Sequence, residues 1–313
     1  MTALAAARPF EDAKPSLEFL EGQFAAMAGA VDAGQDPAAA LIETLNRIAS
    51  SALIDLVFGL APDHPDHIKM LEVYHRLGPD RVIFQIGPVQ QACFADLRKI
   101  LDRLIADDLL AQSVAGHARI SGRLDETLAG NLIYMVEGGR HDIASLLRWV
   151  LRDLAYDPAS QTALAQEDAR GDPARPLAVA FVKESLRMNQ IERLTRLAKQ
   201  DIVFETWLIP KGSFIRLCLW EAHKDPEVFE RPFEHCPGRF LDWNPGRNAF
   251  APFGIDKHNC PFENATLRFC TLVLGAILRH WRLGPVNDGP AVRNYYQWAP
   301  PPAFTVALSP KLG

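Results

Sequence analysis

The sequence has few of the features that mark disulfide-bonded, zinc-binding or membrane-spanning proteins. No apolar run reaches the roughly 18 residues that a membrane-spanning helix needs, and "MTALAAARPF" at the start has no secretory pattern. Five cysteines in 313 residues have neither the number nor the spacing of a disulfide framework or a zinc site. We therefore expect a soluble, cytoplasmic protein with reduced thiols and no membrane segment. The cysteines are Cys93, Cys218, Cys236, Cys260 and Cys270.

Excess charge, basic clusters and internal repeats are also missing. The formal net charge is -5, and the lysines and arginines are scattered, so we expect no nucleic-acid partner. With 48% hydrophobic and 23% charged residues, the composition is that of a folded globular protein. No linker is visible. We expect one domain over residues 1–313, with a helical part at about 1–120 and the motifs described below in 121–313.

Apolar residues recur at three- and four-residue steps through the first two thirds of the chain, which predicts helices. Segments 16–34 and 38–60 are each closed by a glycine, as helices often are. Segment 66–114 continues the pattern, with breaks near "LGPD" and "IGP". The predicted fold class is mainly α with a minor β part (α+β).

A long helix is predicted at about residues 125–156, and its centre is weak. Gly138 and Gly139 lie in the middle, where each costs about 1 kcal/mol relative to alanine. Two interpretations remain open. The glycines mark either a junction between two shorter helices or a bend that opens space for a ligand.

The remaining third mixes loops, strands and helices. A polar loop is predicted at 166–176 and a helix at 177–189. The next segment alternates and predicts a β-hairpin that turns at residues 210–212, followed by a helix start. A proline-rich coil tied down by aromatics precedes the last helix, at about 261–281, and the tail "VRNYYQWAPPPAFTVAL" predicts short strands.

Cys260 is the residue that most needs a chemical explanation. In "NCPFENATLRFC" it takes the N-cap position, with Pro261 at the first helical position and Glu263 two residues further on. Free backbone N–H groups and the helix dipole there favour thiolate over thiol. No second cysteine or histidine lies at a spacing that would let it bind a metal ion together with Cys260. A lone sulfur is then best suited to be the axial ligand of a metal already held by a macrocycle. A small buried cysteine is the plainer alternative.

The segment around Cys260 resembles the cysteine-ligand loop of the cytochrome P-450 superfamily, F-G-x-G-x-H-x-C-x-G. Two positions depart from that pattern, because Asp256 replaces its second glycine and Phe262 replaces the glycine after the cysteine. The resemblance implies a P-450-like fold and haem b (iron protoporphyrin IX) bound through Cys260. The matching residues are Phe253, Gly254, His258 and Cys260.

Further motifs of the same superfamily follow in order. "ESLR" resembles its E-x-x-R pair, and "CPGRF" resembles the segment whose arginine joins that pair. "RLAKQDI" resembles the segment whose arginine binds a haem propionate, and His258 would be a second propionate partner. The corresponding residues are Glu184 and Arg187 for the pair, Arg239 for the joining arginine and Arg196 for the propionate contact.

The long helix resembles the superfamily's distal helix, which carries A-G-x-D-T above the haem. The glycine pair fits, but the acid becomes His141 and the alcohol becomes Asp142. If both residues face a haem, they form a positioned acid and base, with Asp142 able to orient His141 or raise its pKa. The resemblance therefore implies catalytic roles for Gly138, Gly139, His141 and Asp142. Polar groups on a solvated helix face are the plain alternative.

The first residues resemble the region just after the superfamily's third main helix. The resemblance therefore implies that the N-terminal quarter of that fold is absent, and we expect an apolar surface to be left bare. A homodimer, or a partner chain that covers the gap, is the expected consequence.

The resemblance implies a haem-thiolate monooxygenase that oxidises a small or medium apolar molecule, with electrons from a ferredoxin- or flavodoxin-type donor. Peroxide-driven or redox-neutral chemistry, such as a dehydratase or isomerase reaction at His141 and Asp142, is the alternative within the same class. A non-catalytic haem-binding or scaffold subunit is a second class. A cysteine hydrolase or transferase using Cys260 is a third, for which no matching third group is visible.

Overall fold

The structure is a computed structural model that describes residues 17–78, 86–107, 110, 113–115, 125–189, 193–255, 259–293 and 298–311. The helices in these residues are α1 (Leu17–Asp32), α2 (Pro37–Phe58), α3 (Pro65–Arg76), α4 (Pro88–Ala106), α5 (Glu126–Ala155), α6 (Pro158–Arg170), α7 (Pro176–Met188), α8 (Leu219–Ala222), α9 (Arg239–Asp242) and α10 (Glu263–His280). The strands are β1 (Arg193–Leu197), β2 (Ile202–Phe204), β3 (Trp207–Ile209), β4 (Phe214–Cys218), β5 (Trp281–Val286), β6 (Val292–Arg293), β7 (Trp298–Ala299) and β8 (Thr305–Pro310).

Local sequence explains where the two central helices begin and end. The Asp36 carboxylate accepts a hydrogen bond from the Ala39 N–H at 2.8 Å and caps α2, which ends at Gly59 with φ of 67°. Asp125 caps α5 in the same way, accepting from the Leu128 N–H at 2.7 Å. These caps satisfy N–H groups that have no partner inside the helix.

Most of the core is one continuous cluster of buried apolar side chains that runs from Leu20 to Val306, and a small second cluster is formed by Ala180, Phe229 and Phe240. Helices α2 and α5 pack against each other at its centre. Helix α10 lies on the same core, with Cys270, Val273 and Leu274 almost fully buried. The mainly α architecture with small two-stranded sheets confirms the predicted fold class.

Most predicted elements are found close to their predicted bounds. Helices α3 and α4 end and begin at the predicted breaks, although α4 ends at Ala106, before the predicted residue 114. The tail forms strands as expected, and β5 pairs with β8 in antiparallel fashion. The coil before α10 is held by ring contacts, including Phe229 with Trp243 and Phe240 with Phe250.

The predicted polar loop at 166–176 is wrong in its first half. Residues up to Arg170 belong to α6, which begins at Pro158 after the capping Asp157 and ends at Gly171 with φ of 71°. The polar segment "QEDAR" is the end of a helix, and one of its residues also caps the next helix. Glu167 is buried and accepts hydrogen bonds from the N–H groups of Leu177 and Ala178, at the start of α7.

The predicted hairpin has a different turn. Strands β2 and β3 pair around residues 205–206, where Glu205 has φ of 51°, and β1 pairs with β4 outside them. The turn predicted at 210–212 only connects β3 to β4. Alternation could locate the strands but not decide which of them pair, because pairing depends on turn geometry.

Helix α5 is continuous through Gly138 and Gly139, which excludes the first of the two interpretations, a junction between two shorter helices. A Cβ added to Gly139 would lie 3.0 Å from Leu53 Cδ1, on α2. The glycine therefore lets α2 approach α5 closely at this point. Within the described residues, no helix is both long and apolar enough to cross a membrane.

Candidate functional site

A cavity of about 230 Å³ separates α5 from the loop before α10. The α5 wall is mostly apolar, and the loop wall carries two aromatic rings and the sulfur of Cys260. From α5 the lining residues are Gly139, Asp142, Ile143, Ser145, Leu146 and Trp149. From the loop they are Pro252, Phe253, Gly254, Cys260 and Phe262.

A backbone hydrogen bond joins the two ends of the loop that contains Cys260. The Cys260 N–H donates to the Phe253 carbonyl at 2.7 Å, and Gly254 takes a left-handed conformation with φ of 84° that favours glycine. These contacts set the sulfur at the cavity wall. Two loop residues singled out by the sequence, Asp256 and His258, lie outside the described residues.

Cys260 is not the N-cap of the last helix. Helix α10 begins at Glu263 and its N-cap is Phe262, so the predicted cap position is wrong by two residues. Burial raises the pKa of the Cys260 thiol, although the Phe262 N–H, which hydrogen-bonds the sulfur, acts in the opposite direction. The protein alone therefore favours the thiol and not the expected thiolate, because the loss of hydration outweighs one N–H donor. A bound metal ion would reverse that balance.

Two neighbouring residues predicted to act together on α5 have different surroundings. Asp142 lines the cavity opposite the Cys260 loop. His141 is buried and is not among the described residues that line the cavity. Its Nε2 lies 3.1 Å from Glu137 Oε1, so Glu137 is a residue that orients His141.

Glu137 is a buried acid that the sequence reasoning missed. It accepts hydrogen bonds from Arg140 Nε at 2.8 Å and from His141, one helical turn away. Burial raises its pKa, but these two partners outweigh burial and hold the pKa below its ordinary value. The spacing E-x-x-R-H could have revealed it, since residues three and four apart share a helix face.

The structure brings together Glu184, Arg187 and Arg239. Arg187 is fully buried and donates to both carboxylate oxygens of Glu184 at 2.9 Å. Arg239 Nε lies 3.1 Å from Glu184 Oε2, and the Cys236 N–H donates to the same carboxylate at 2.8 Å. Burial raises the pKa of Glu184, but these donors outweigh it and leave the pKa lowered. This cluster lies on α7 and α9 and is not part of the cavity wall.

Arg196 lies on β1 and is not among the described residues that line the cavity. Its Nη1 donates to the Thr195 carbonyl at 3.0 Å. No lysine, arginine or histidine is found among the described lining residues of this cavity.

The donor set fits a metal that enters already held by a macrocycle. Cys260 contributes the one sulfur among the described lining residues of the cavity, and no group of three or more metal-binding side chains occurs in the described part of the chain. A bare metal ion would lack ligands here, whereas an iron porphyrin supplies four nitrogen ligands of its own and needs one from the protein. Cys260 would hold such a group from the loop side, with Phe253, Gly254 and Phe262 beside it in the cavity wall.

Comparison with known proteins gives a consistent result. The family model described as Cytochrome P450 matches residues 79–306. Abscisic acid 8'-hydroxylase 1 of Arabidopsis thaliana is 28% identical over 220 residues, which are 62% of this chain and 46% of that protein. The mitochondrial 25-hydroxyvitamin D-1 alpha hydroxylase of Homo sapiens is 29% identical over 184 residues, 54% of this chain and 36% of that protein. The chain thus spans less than half the length of these curated relatives.

Proposed function

The chain belongs to the cytochrome P450 family, and we propose that it is a haem-thiolate oxidoreductase acting on a small or medium-sized apolar molecule. The observation that carries the proposal is the position of Cys260, which lines a cavity whose opposite wall is formed by α5. The similar proteins named hydroxylases support an oxidative reaction. We propose one haem-binding domain, and haem b as its cofactor.

Haem supplies the oxidising chemistry when it is bound, and the residues of this chain bind, orient and shield. The Cys260 sulfur would be the protein ligand, with Phe253 and Gly254 shaping the turn that holds it. Ile143, Leu146 and Trp149 keep the α5 side of the cavity apolar and exclude water. Trp149 is fixed by its own hydrogen bond, from Nε1 to the Trp298 carbonyl at 3.0 Å.

We propose that Asp142 holds or transfers a proton in the cavity, because it is the ionisable α5 side chain in the cavity wall. His141 then acts as a positioning residue from the buried side of α5, through Glu137. Gly138 and Gly139 would serve by letting neighbouring groups approach the helix. Asp142→Asn should slow turnover at least about tenfold with unchanged haem content, whereas His141→Ala should have a smaller effect on turnover.

Arg196 and His258 remain proposed partners of the haem propionates. Arg196 is half-buried on β1 and its described hydrogen bond goes to a backbone carbonyl, so its side chain could turn to a carboxylate. Arg196→Gln should weaken haem retention with little change in the absorption maximum. An unchanged haem dissociation rate would remove Arg196 from the proposal.

The proposed partners are a ferredoxin-type electron donor and a second copy of the chain or a covering partner chain. Support for an interface comes from the β2–β3 hairpin and β4, whose large apolar side chains are well exposed. These are Val203, Phe204, Trp207, Leu208 and Phe214. A monomer in sedimentation with haem bound would contradict the oligomer. A cytoplasmic location is proposed from the free cysteines in the described residues.

Turnover assays with different oxidants test the reaction class. An oxidised product that forms only with reductant, donor protein and oxygen supports the monooxygenase proposal. Product formed with peroxide alone would favour peroxide-driven chemistry. An isomerised or dehydrated product without any oxidant would favour a redox-neutral reaction. Asp142 could serve as the acid in either reaction. Purified protein that takes up no haem would leave a non-catalytic subunit as the conclusion.

A further inference from the structure

A second cavity, of about 310 Å³, lies between α2, α3 and α5. It is separate from the Cys260 cavity, and the two share none of their described lining residues. Its walls combine apolar side chains with a buried guanidinium. The lining residues include Ala39, Ile42, Glu43, Asn46 and Arg47 on α2, Leu71 and His75 on α3, and Arg140 on α5.

Arg140 is 1% exposed, yet its guanidinium reaches the cavity wall. Nε donates to Glu137 at 2.8 Å, and Nη2 donates to the Gly78 carbonyl at 2.8 Å and to Glu137 at 3.2 Å. Nη1 carries two N–H donors, and its described contact is Asn46 Oδ1 at 3.5 Å, too long for a strong bond. Arg140 therefore has donor capacity left for a ligand.

A second cation stands at the mouth of this cavity. Arg47 lines both the cavity and the open groove beside it, and no carboxylate of the described residues lies within ion-pair distance of its side chain. The one acid in the cavity wall, Glu43, is directed toward His75, whose Nε2 is 3.9 Å away, and toward Gln35 Nε2 at 3.4 Å. With Glu137 paired to Arg140 and Glu43 in the wall, the formal charges of the described groups around the cavity balance, and an anion would be held by the guanidinium donors of Arg140 and Arg47 that no described carboxylate uses.

We propose that this cavity is a binding site for a small organic carboxylate with an apolar body. The carboxylate would accept hydrogen bonds from Arg140 Nη1 and Arg47, since a guanidinium matches a carboxylate in shape and charge. The apolar body would contact Ile42, Leu71 and Ala39. A cavity of about 310 Å³ is at the lower end of the range for small-molecule sites, so we expect a small ligand.

The test uses the purified protein as isolated, with ¹³C-labelled isoleucine and leucine methyl groups and two probe acids, benzoate and octanoate. Binding should shift the methyl signals of Ile42 and Leu71. The signals of Ile143 and Leu146 report on the Cys260 cavity and should stay in place at the same concentrations. Octan-1-ol, which has the same chain without the charge, should bind at least about tenfold more weakly than octanoate.

Three variants locate the site. Ala39→Phe fills the cavity from an exposed position and should abolish the Ile42 and Leu71 shifts without disturbing the core. Arg47→Gln should weaken octanoate binding by about fivefold to tenfold, the loss expected for one charge-assisted hydrogen bond. Arg170→Gln removes an exposed arginine at the end of α6, outside this cavity, and should bind as the wild type does.

Three results would overturn the proposal. They are equal affinities for octanoate and octan-1-ol, binding that survives Ala39→Phe, or methyl shifts confined to Ile143 and Leu146. Failure of haem binding would leave the proposal intact, because no lining residue of this cavity belongs to the Cys260 site.

Discussion

Helices α5 and α7 each carry a buried glutamate and arginine at i and i+3, and the two pairs have different surroundings. On α7, Arg187 has every N–H donor used, by Glu184 and by the carbonyls of three other residues. On α5, Arg140 shares Glu137 with a histidine and faces a cavity with Nη1. The i, i+3 spacing in the sequence places the two residues together in both cases. The packing around the pair decides whether the arginine uses all its donors to stabilise the fold or keeps donors that can bind a ligand.

Removal of the arginine from the α7 pair, whose N–H donors are all used, should cost more stability than removal of the arginine from the α5 pair. Arg187→Ala would leave Glu184 buried with a smaller set of donors and free three backbone carbonyls, so we expect a loss of about 3–5 kcal/mol in the free energy of unfolding. Chemical denaturation measures this. The control is Arg98→Ala, which removes an exposed i, i+4 pair with Asp102 and should lose about 0.5 kcal/mol or less. Equal losses for the two variants would contradict the comparison.

The α5 pair should be less important for stability. Arg140→Ala leaves Glu137 with His141 and lets water enter the vacated space from the cavity, so we expect a loss of about 1–3 kcal/mol, smaller than for Arg187→Ala. The same denaturation series provides the number. A loss larger than that of Arg187→Ala would show that the cavity-facing arginine is the true structural anchor.

Acid should weaken the α7 cluster in a defined direction. The pKa of Glu184 is lowered from 4.5 in the folded protein, so its carboxylate contributes stability above 4.5 that is lost as pH falls through the lowered folded value. The stability difference between the wild type and Glu184→Gln should therefore be largest near neutral pH and shrink below about 4.5. Urea denaturation at a series of pH values measures it. A difference that stays constant down to about pH 3 would be inconsistent with this pKa direction.

The smallest effect concerns the glycines of α5. Gly130 is exposed with nothing within 4 Å of an added Cβ, so Gly130→Ala should stabilise the helix by about 0.5–1 kcal/mol. Gly139→Ala should gain less or nothing, because Leu53 Cδ1 at 3.0 Å must shift. Thermal unfolding of both variants compares them. An equal gain would mean that the close approach of α2 plays no part in the choice of glycine.

The helices could be predicted from the sequence because the patterns that indicate them are local. Apolar spacing and the closing glycines predicted α1 and α2 to within two residues at each end. Pairing of β1 with β4 could not be predicted, since it joins segments about twenty residues apart around an inner hairpin. The second half of α6 was predicted as a loop, because its polar residues, among them the Glu167 that caps α7, have the composition of a loop.

The site was partly accessible from the sequence. The positions of Cys260 and Asp142 on opposite walls follow the expected motifs, although their roles remain proposals. The direction of His141 did not follow from the sequence, because a shift of one residue on a helix turns a side chain by about 100°. Glu137 was overlooked because its partner His141 was expected to face a haem.

The most direct test of the central claim is the absorption spectrum of the reduced protein with carbon monoxide. We predict a strongly red-shifted Soret band for the wild type and for Cys218→Ser, which changes an exposed cysteine on β4. Cys260→Ser should lose that band. A red-shifted band that survives Cys260→Ser, or a wild-type protein that binds no haem, would contradict the account.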